Sequence, residues 1–192
     1  MTPNVHTRAA EPSHGLVLPG PEVEVREPIG FRSARARDVG AIHHLIEAHV
    51  AEGHLLPRTR QSIAAEVEQF VVATRAGVVV GCAELVPLGP EVAEVRSLVV
   101  SDEVQGQGVG RALVLALLAA AENGPFNRLC AFTHAPAFFV RLGFSIVPHL
   151  DVREKVFTDC VECPLFRRCG QQAVVFWLRS AKDARRSPER ER

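Results

Sequence analysis

The stretch Val95–Arg111, VRSLVVSDEVQGQGVGR, sets a β-rich run, three closely spaced glycines and the start of a long apolar segment in direct succession. Its regular reading is a strand ending near Val100, a glycine turn, and a helix opening at Val109. Gly106, Gly108 and Gly110 leave backbone N–H groups uncovered, and the helix start adds the positive end of a dipole. Together these make a cradle suited to a phosphate or pyrophosphate. A chain built around such a turn must hold a strand end against a helix start, which points to helices layered on a sheet.

The remaining pattern agrees. Phe31–Arg35 reads as a first strand, and Asp38 as the cap of a helix with the apolar stripe Val39, Ile42, Leu45 or Ile46, and Val50. Thr59 begins a second helix carrying Ile63, Val67 and Phe70. Phe70–Thr74 and Val78–Pro87 form a hairpin about Ala76-Gly77, and Ala93–Val100 is the next strand. The helix Val109–Glu122 is stopped by Asn123-Gly124-Pro125. Strand Arg128–Phe132, helix Pro136–Leu142 and strands Phe144–Val147 and Ala173–Leu178 complete the order. The expected fold class is α/β (α+β), with a central mixed, mostly antiparallel sheet flanked by helices. One domain over residues 29–180 is expected, between a flexible extension (1–28) and a charged tail (181–192).

Charge and cysteine usage limit the partners. Lys plus Arg equals Asp plus Glu at 22 each, so no electrostatic reason exists to seek nucleic acid or an anionic membrane. Met1–Glu27 lacks the apolar core of a secretory signal, and Ala112–Ala121 is too short for the roughly 20 residues a membrane helix needs. Five cysteines fit a reducing compartment, so a cytoplasmic protein is expected.

Two nucleotide motifs compete for the glycine turn and fail. A Walker loop ends in Gly-Lys-Ser/Thr, which is absent, and a dinucleotide fingerprint needs a Gly-x-Gly-x-x-Gly spacing that is not met. What the turn matches is Gln-x-x-Gly-x-Gly at Gln105, Gly108 and Gly110. This resembles the pyrophosphate-binding motif of the GNAT acetyltransferases, whose co-substrate is acetyl-CoA. Thr133–Phe144, THAPAFFVRLGF, resembles the same superfamily's later helix beside the pantetheine arm. HLLPRTRQSIAAEVEQFVV, VGCAEL and KVFTDCVECPLFRRC are further similar to the amino-acid N-acetyltransferases that make N-acetylglutamate for arginine biosynthesis. Longer members add a kinase-like, arginine-sensing domain for which 192 residues leave no room.

The resemblance implies transfer of acetyl from acetyl-CoA to the α-amine of L-glutamate or L-glutamine. It places the thioester carbonyl against the backbone of Leu98, Val99 and Val100, and the pyrophosphate on Gln105, Gly106, Gln107, Gly108, Val109, Gly110 and Arg111. Arg111 reads equally as a surface charge. Glu94 matches the Glu of the family's Glu-x-x-x-x-Val pattern and is the candidate base or water relay; as a solvated carboxylate it would pair with Arg96. Glu94, Arg96 and Leu98 share a strand face if no bulge intervenes. Thr133 is the candidate hydroxyl near the leaving thiolate, or a cap for the Pro136 helix. The chain has no tyrosine, and Phe138 and Phe139 stand where the superfamily often places one. Arg58 of Leu-Leu-Pro-Arg is the first candidate to hold an acceptor carboxylate, with Arg96 and Lys155 next.

Cys160-x-x-Cys163 and Cys169 admit three readings: zinc with a fourth ligand such as His149, a labile disulfide, or loop packing, and no metal is assigned. Cys82 and Cys130 read as core thiols. A small-molecule amino acid is the expected partner, and a homodimer the assembly considered. Two other functions fit the same cradle: acetyl transfer to a different amine, or acetyl-CoA sensing without catalysis.

Overall fold

The computed structural model describes residues 27–50 and 55–178. Seven strands form one sheet: β1 (Ile29–Ser33), β2 (Phe70–Arg75), β3 (Val78–Pro87), β4 (Val92–Val100), β5 (Arg128–Thr133), β6 (Ser145–Val147) and β7 (Gln172–Trp177). Their spatial order is β1-β2-β3-β4-β5-β7-β6, and every pairing is antiparallel except β4 with β5. Five helices accompany them: α1 (Val39–Val50), α2 (Arg60–Ala65), α3 (Val109–Glu122), α4 (Pro136–Val140) and the single turn α5 (Arg153–Lys155), prolonged by π-type turns over Val156–Cys160.

Apolar periodicity decides which face each helix covers. On α3, Val109, Leu113, Val114, Leu117, Leu118 and Ala121 are buried along one stripe, against Ala73, Val80, Ala93 and Val95 of the sheet and Phe139 of α4. On the opposite face, Ile42, Leu45 and Ile46 of α1 and Ile63 of α2 close over Phe70, Val72, Cys82 and Val99. Val152, just before α5, covers Val92, Cys130 and Val175 on that same face. Gly81 lets α3 settle this closely, since a Cβ there would lie 3.2 Å from the Val99 carbonyl and 3.3 Å from Leu113. The hairpin turn is as expected: Ala76 (φ 49°) and Gly77 (φ 80°) both take the left-handed conformation that a two-residue turn requires.

Several expectations need correction. Asp38 does not cap α1 from outside; it ends a 3₁₀ turn (Ala36–Asp38), and its carboxylate reaches back to the Arg35 N–H (2.8 Å) and to Arg32 (2.6 and 2.9 Å). The second helix stops at Ala65, because Phe70 is drawn into β2 as its first, fully buried residue. Thr59 does cap it, accepting from the Ser62 N–H at 3.1 Å. The first strand lies two residues earlier than read, and the Pro136 helix ends at Val140. Of the expected extension and tail, residues 1–26 and 179–192 lie outside the described residues.

The Asp38 arrangement carries a test. Arg32 holds the Asp38 carboxyl below its ordinary value of 3.8, so the folded state binds fewer protons than the unfolded one. Asp38→Asn should cost about 1–2 kcal/mol at pH 7, the worth of charge-assisted hydrogen bonds. Because the folded carboxyl is the stronger acid, that cost should fade as pH falls below 3.8 in paired denaturant titrations.

Candidate functional site

Two features of β4 shape the site. Its parallel ladder with β5 runs only from Val92↔Arg128 to Glu94↔Cys130. Beyond that point the β5-side edge of β4, including Leu98, Val99 and Val100, has no strand partner among the described residues. A split therefore opens in the middle of the sheet, just ahead of the glycine turn. The second feature is a bulge: the β3–β4 register passes from Cys82↔Val99 to Glu84↔Arg96, and Ser97 takes a left-handed φ of 52°. The bulge separates Leu98 from Glu94 and Arg96. Leu98 and Val100 pack with the α3-side core, while Val99 lies in the α1-side core. The shared face expected for Glu94, Arg96 and Leu98 thus holds only for the first two.

At the C-terminal end of β4, a 3₁₀ turn (Asp102–Val104) leads into the exposed residues Gln105–Gly108. Gly106 (φ 74°) and Gly108 (φ 81°) are left-handed, and Gly108 is the N-cap of α3 with no side chain of its own to occupy the first-turn N–H groups. The loop is braced from both ends: the Gln105 amide donates to the Val100 carbonyl (3.1 Å) and to Asp102 (2.7 Å), and Arg75 donates to Gln107 at 2.6 Å. Phe138 lies against Gly110, with ring carbons 3.6 and 3.8 Å from where a Cβ would stand. Arg111 is exposed. The structure thus brings Gln105–Arg111 together in one turn and helix start beside the split.

On the other face, the ionisable candidates gather. Glu94, nearly buried, receives Arg96 (2.6 and 3.0 Å) and Lys155 (2.9 Å), all through Oε2. Arg96 and Lys155 also share Asp159 (2.5 and 2.8 Å). Next to this group, Arg58 donates to Glu84 (2.8 and 3.4 Å), Ser97 (3.3 Å), Glu66 (2.5 Å) and Ser62 (3.3 Å). The two clusters touch through the cross-strand pair Glu84↔Arg96. Burial pushes the Glu84 carboxyl above its ordinary value, with Arg58 opposing, while Lys155 and Arg96 hold Asp159 below its own against the upward push of burial.

Glu84, Glu66, Ser97 and Asp159 were not singled out from sequence. Glu84 did carry a signal, being a carboxylate inside the otherwise apolar run VVVGCAELV. Thr133 Oγ1 accepts from the Ala135 N–H at 2.9 Å, so the hydroxyl organises the turn into α4. The His149 Nε2–H donates to the Gln171 carbonyl (3.0 Å), and the ring centroid lies 5.2 Å from that of Phe132. Among the described residues, no group of three or more His, Cys, Asp or Glu is placed to hold a metal ion. All five cysteines are free, with Cys82 and Cys130 buried as core thiols.

An acetyltransferase (GNAT) domain model matches residues 66–146. Over 144 residues the chain is 32% identical to an uncharacterized N-acetyltransferase of Chlorobaculum tepidum, covering 75% of this chain and 93% of that one. The chain belongs to the GNAT acetyltransferase family. It is also 32% identical over 131 residues to an amino-acid acetyltransferase of Mycobacterium tuberculosis (67% of this chain, 75% of the other). A solved Mycobacterium tuberculosis protein in complex with CoA superposes with a TM-score of 0.68 at 26% identity, covering 78% of this chain and 99% of that one. N-acetylglutamate synthase from Neisseria gonorrhoeae, solved with coenzyme A and N-acetyl-glutamate, shares the fold at a TM-score of 0.69 and 23% identity. This chain matches over 79% of its own length and spans 35% of that longer protein. The GNAT protein described here is an acetyl-CoA-dependent N-acetyltransferase, with acetyl-CoA as co-substrate. No helix among the described residues is long and apolar enough to cross a membrane.

Proposed function

We propose that this GNAT enzyme acetylates the α-amine of a free amino acid, L-glutamate or L-glutamine, in the first step of arginine biosynthesis. The observation that carries the reading is the gathering of Arg58, Arg96 and Lys155 on one face beside the end of the β4–β5 ladder. A guanidinium is the group best matched to a carboxylate, and similarity to an amino-acid acetyltransferase supports an acceptor that carries one. The catalytic domain in this reading spans residues 29–180, the acceptor is a small molecule, and the protein is a cytoplasmic homodimer.

The chemistry follows from this arrangement. The pyrophosphate of acetyl-CoA takes the N–H groups of Gln105–Arg111, and the thioester enters the split, where the free edge of Leu98–Val100 can polarise its carbonyl. The amine attacks that carbonyl after losing a proton to Glu94, directly or through water. The acetyl carbon–sulfur bond breaks, and CoA leaves as thiolate with no tyrosine to protonate it; Thr133 is the nearest family-matched hydroxyl. Each cation cluster has one buried and one partly exposed acid: Glu84 and Glu94 are 0% and 4% exposed, Glu66 and Asp159 42% and 37%. Glu66 and Asp159 are therefore the carboxylates an acceptor can displace.

The test is CoA release from acetyl-CoA across a panel of free amino acids, followed by thiol detection. Selective turnover of glutamate or glutamine is expected. Binding of acetyl-CoA without turnover of any amino acid would overturn the reading.

A further inference from the structure

Arg58 has no spare donor for a second carboxylate. Its Nε–H goes to Ser62, and its two terminal nitrogens go to Ser97, Glu66 and both oxygens of Glu84. Glu66 is half exposed and can swing away, but the Glu84 side chain is 0% exposed and stays. Three donors converge on Glu84, from both terminal nitrogens of Arg58 and from the Ser97 hydroxyl (3.3 Å), which is the setting of an ionised, acceptor-only carboxylate. Glu84 also stands opposite Arg96 across the strands, so it faces the second cluster as well.

The local charge balance is informative. Three cations, Arg58, Arg96 and Lys155, face four carboxylates, Glu66, Glu84, Glu94 and Asp159. An acceptor whose α-carboxylate replaces Glu66 restores what it removes. An acceptor with a second carboxylate adds a further negative charge to a partly desolvated cluster already holding two fixed ones, Glu84 and Glu94.

We infer that Glu84 is a specificity-determining residue that turns the acceptor pocket against acidic side chains and toward amino acids with a neutral, glutamine-like side chain. This inference rests on the amino-acid acetyltransferase reading above and narrows its acceptor class. Glu84 acts by occupying Arg58 and repelling a second carboxylate, and it takes no part in proton transfer.

The experiment compares kcat/KM for L-glutamine and L-glutamate in the full chain, in Glu84→Gln and in Glu84→Ala, with acetyl-CoA KM and thermal melting measured alongside. The expected result is a wild-type preference for glutamine of about tenfold or more, a size set by unfavourable burial of one extra charge. In Glu84→Gln the glutamate-to-glutamine ratio should rise roughly tenfold with acetyl-CoA KM unchanged. A ratio that moves only with a general fall in activity would mark a structural role and overturn the assignment. A wild-type preference for glutamate, or an unmoved ratio in variants that melt cooperatively, would overturn it too. Should both variants fail to fold, Glu84→Asp, which keeps the charge, should keep the glutamine preference, and a shift of that variant toward glutamate would overturn the assignment. Silence of the wild type toward every amino acid would instead defeat the underlying reading.

Discussion

Gly108→Asp is expected to weaken acetyl-CoA binding about a hundredfold, while Gly108→Asn at the same position should retain most of it. The comparison isolates charge from geometry. Gly108 has φ 81° at the N-cap of α3, and a Cβ there meets nothing within 4 Å. Any side chain is strained at this left-handed φ, but Asn and Asp tolerate it best and to a similar degree, so the strain is nearly equal in the two variants and cancels in the comparison. An Asp carboxylate should even favour the helix by its interaction with the dipole. For the co-substrate the sign reverses. A unit charge about 5 Å from a pyrophosphate charge costs about 3 kcal/mol at an effective dielectric of about 20, which corresponds to roughly two decades in affinity. Calorimetric titration with CoA distinguishes the outcomes. Equal loss in both variants would mean that shape alone matters at this N-cap. No loss in either would place the pyrophosphate elsewhere.

Much of this site was legible in sequence because local chemistry dictates it. A glycine turn opening an apolar helix can do little else than present N–H groups, so residues 105–111 lie where their spacing put them. The bounds of the apolar helix α3 and the Ala76-Gly77 turn are local in the same sense, set by the Asn123-Gly124-Pro125 stop and by φ. The family motifs likewise delivered Glu94, Arg58 and Lys155, and the fold brings these together on one face. The bulge at Ser97 was not legible. Serine has no special preference for positive φ, and its conformation here is held by Glu84 and Arg58, which lie 13 and 39 residues away. Because the bulge shifts register, it also moved Leu98 off the face expected for it. Glu84 and Asp159 escaped for a related reason: the partner of a buried carboxylate is decided by strand register and by chain crossings, and neither leaves a local pattern. The segment from His149 to Arg168 is a succession of short turns, where no apolar period is long enough to read.

Arg58→Ala is expected to destabilise the fold by about 3–5 kcal/mol, well beyond the loss of a surface arginine. The reason lies in what remains. Glu84 is fully buried, and without Arg58 its hydrogen-bond partner in this structure is the Ser97 hydroxyl alone. Burial already lifts its carboxyl above the ordinary 4.5, and removing the guanidinium takes away the main influence opposing that shift. The folded variant then binds a proton that the unfolded chain releases, so its stability falls as pH rises above 4.5 and recovers as pH is lowered toward it. The wild type should show a weaker trend of the same sign. Adding Glu84→Gln to Arg58→Ala removes the stranded charge, and most of the lost stability should return together with a flat pH dependence over this range. Acceptor use should not return, because the guanidinium proposed to hold the α-carboxylate is still missing. Urea denaturation of the two single variants and the double variant at pH 5 and pH 8, together with acceptor KM, closes the cycle. Additive single effects on stability would show that Arg58 and Glu84 do not interact. Restored stability with restored acceptor KM would confine Arg58 to holding the fold, whereas restored stability with acceptor KM still raised separates its two roles, the ion pair that keeps Glu84 in place and the contact that receives the substrate.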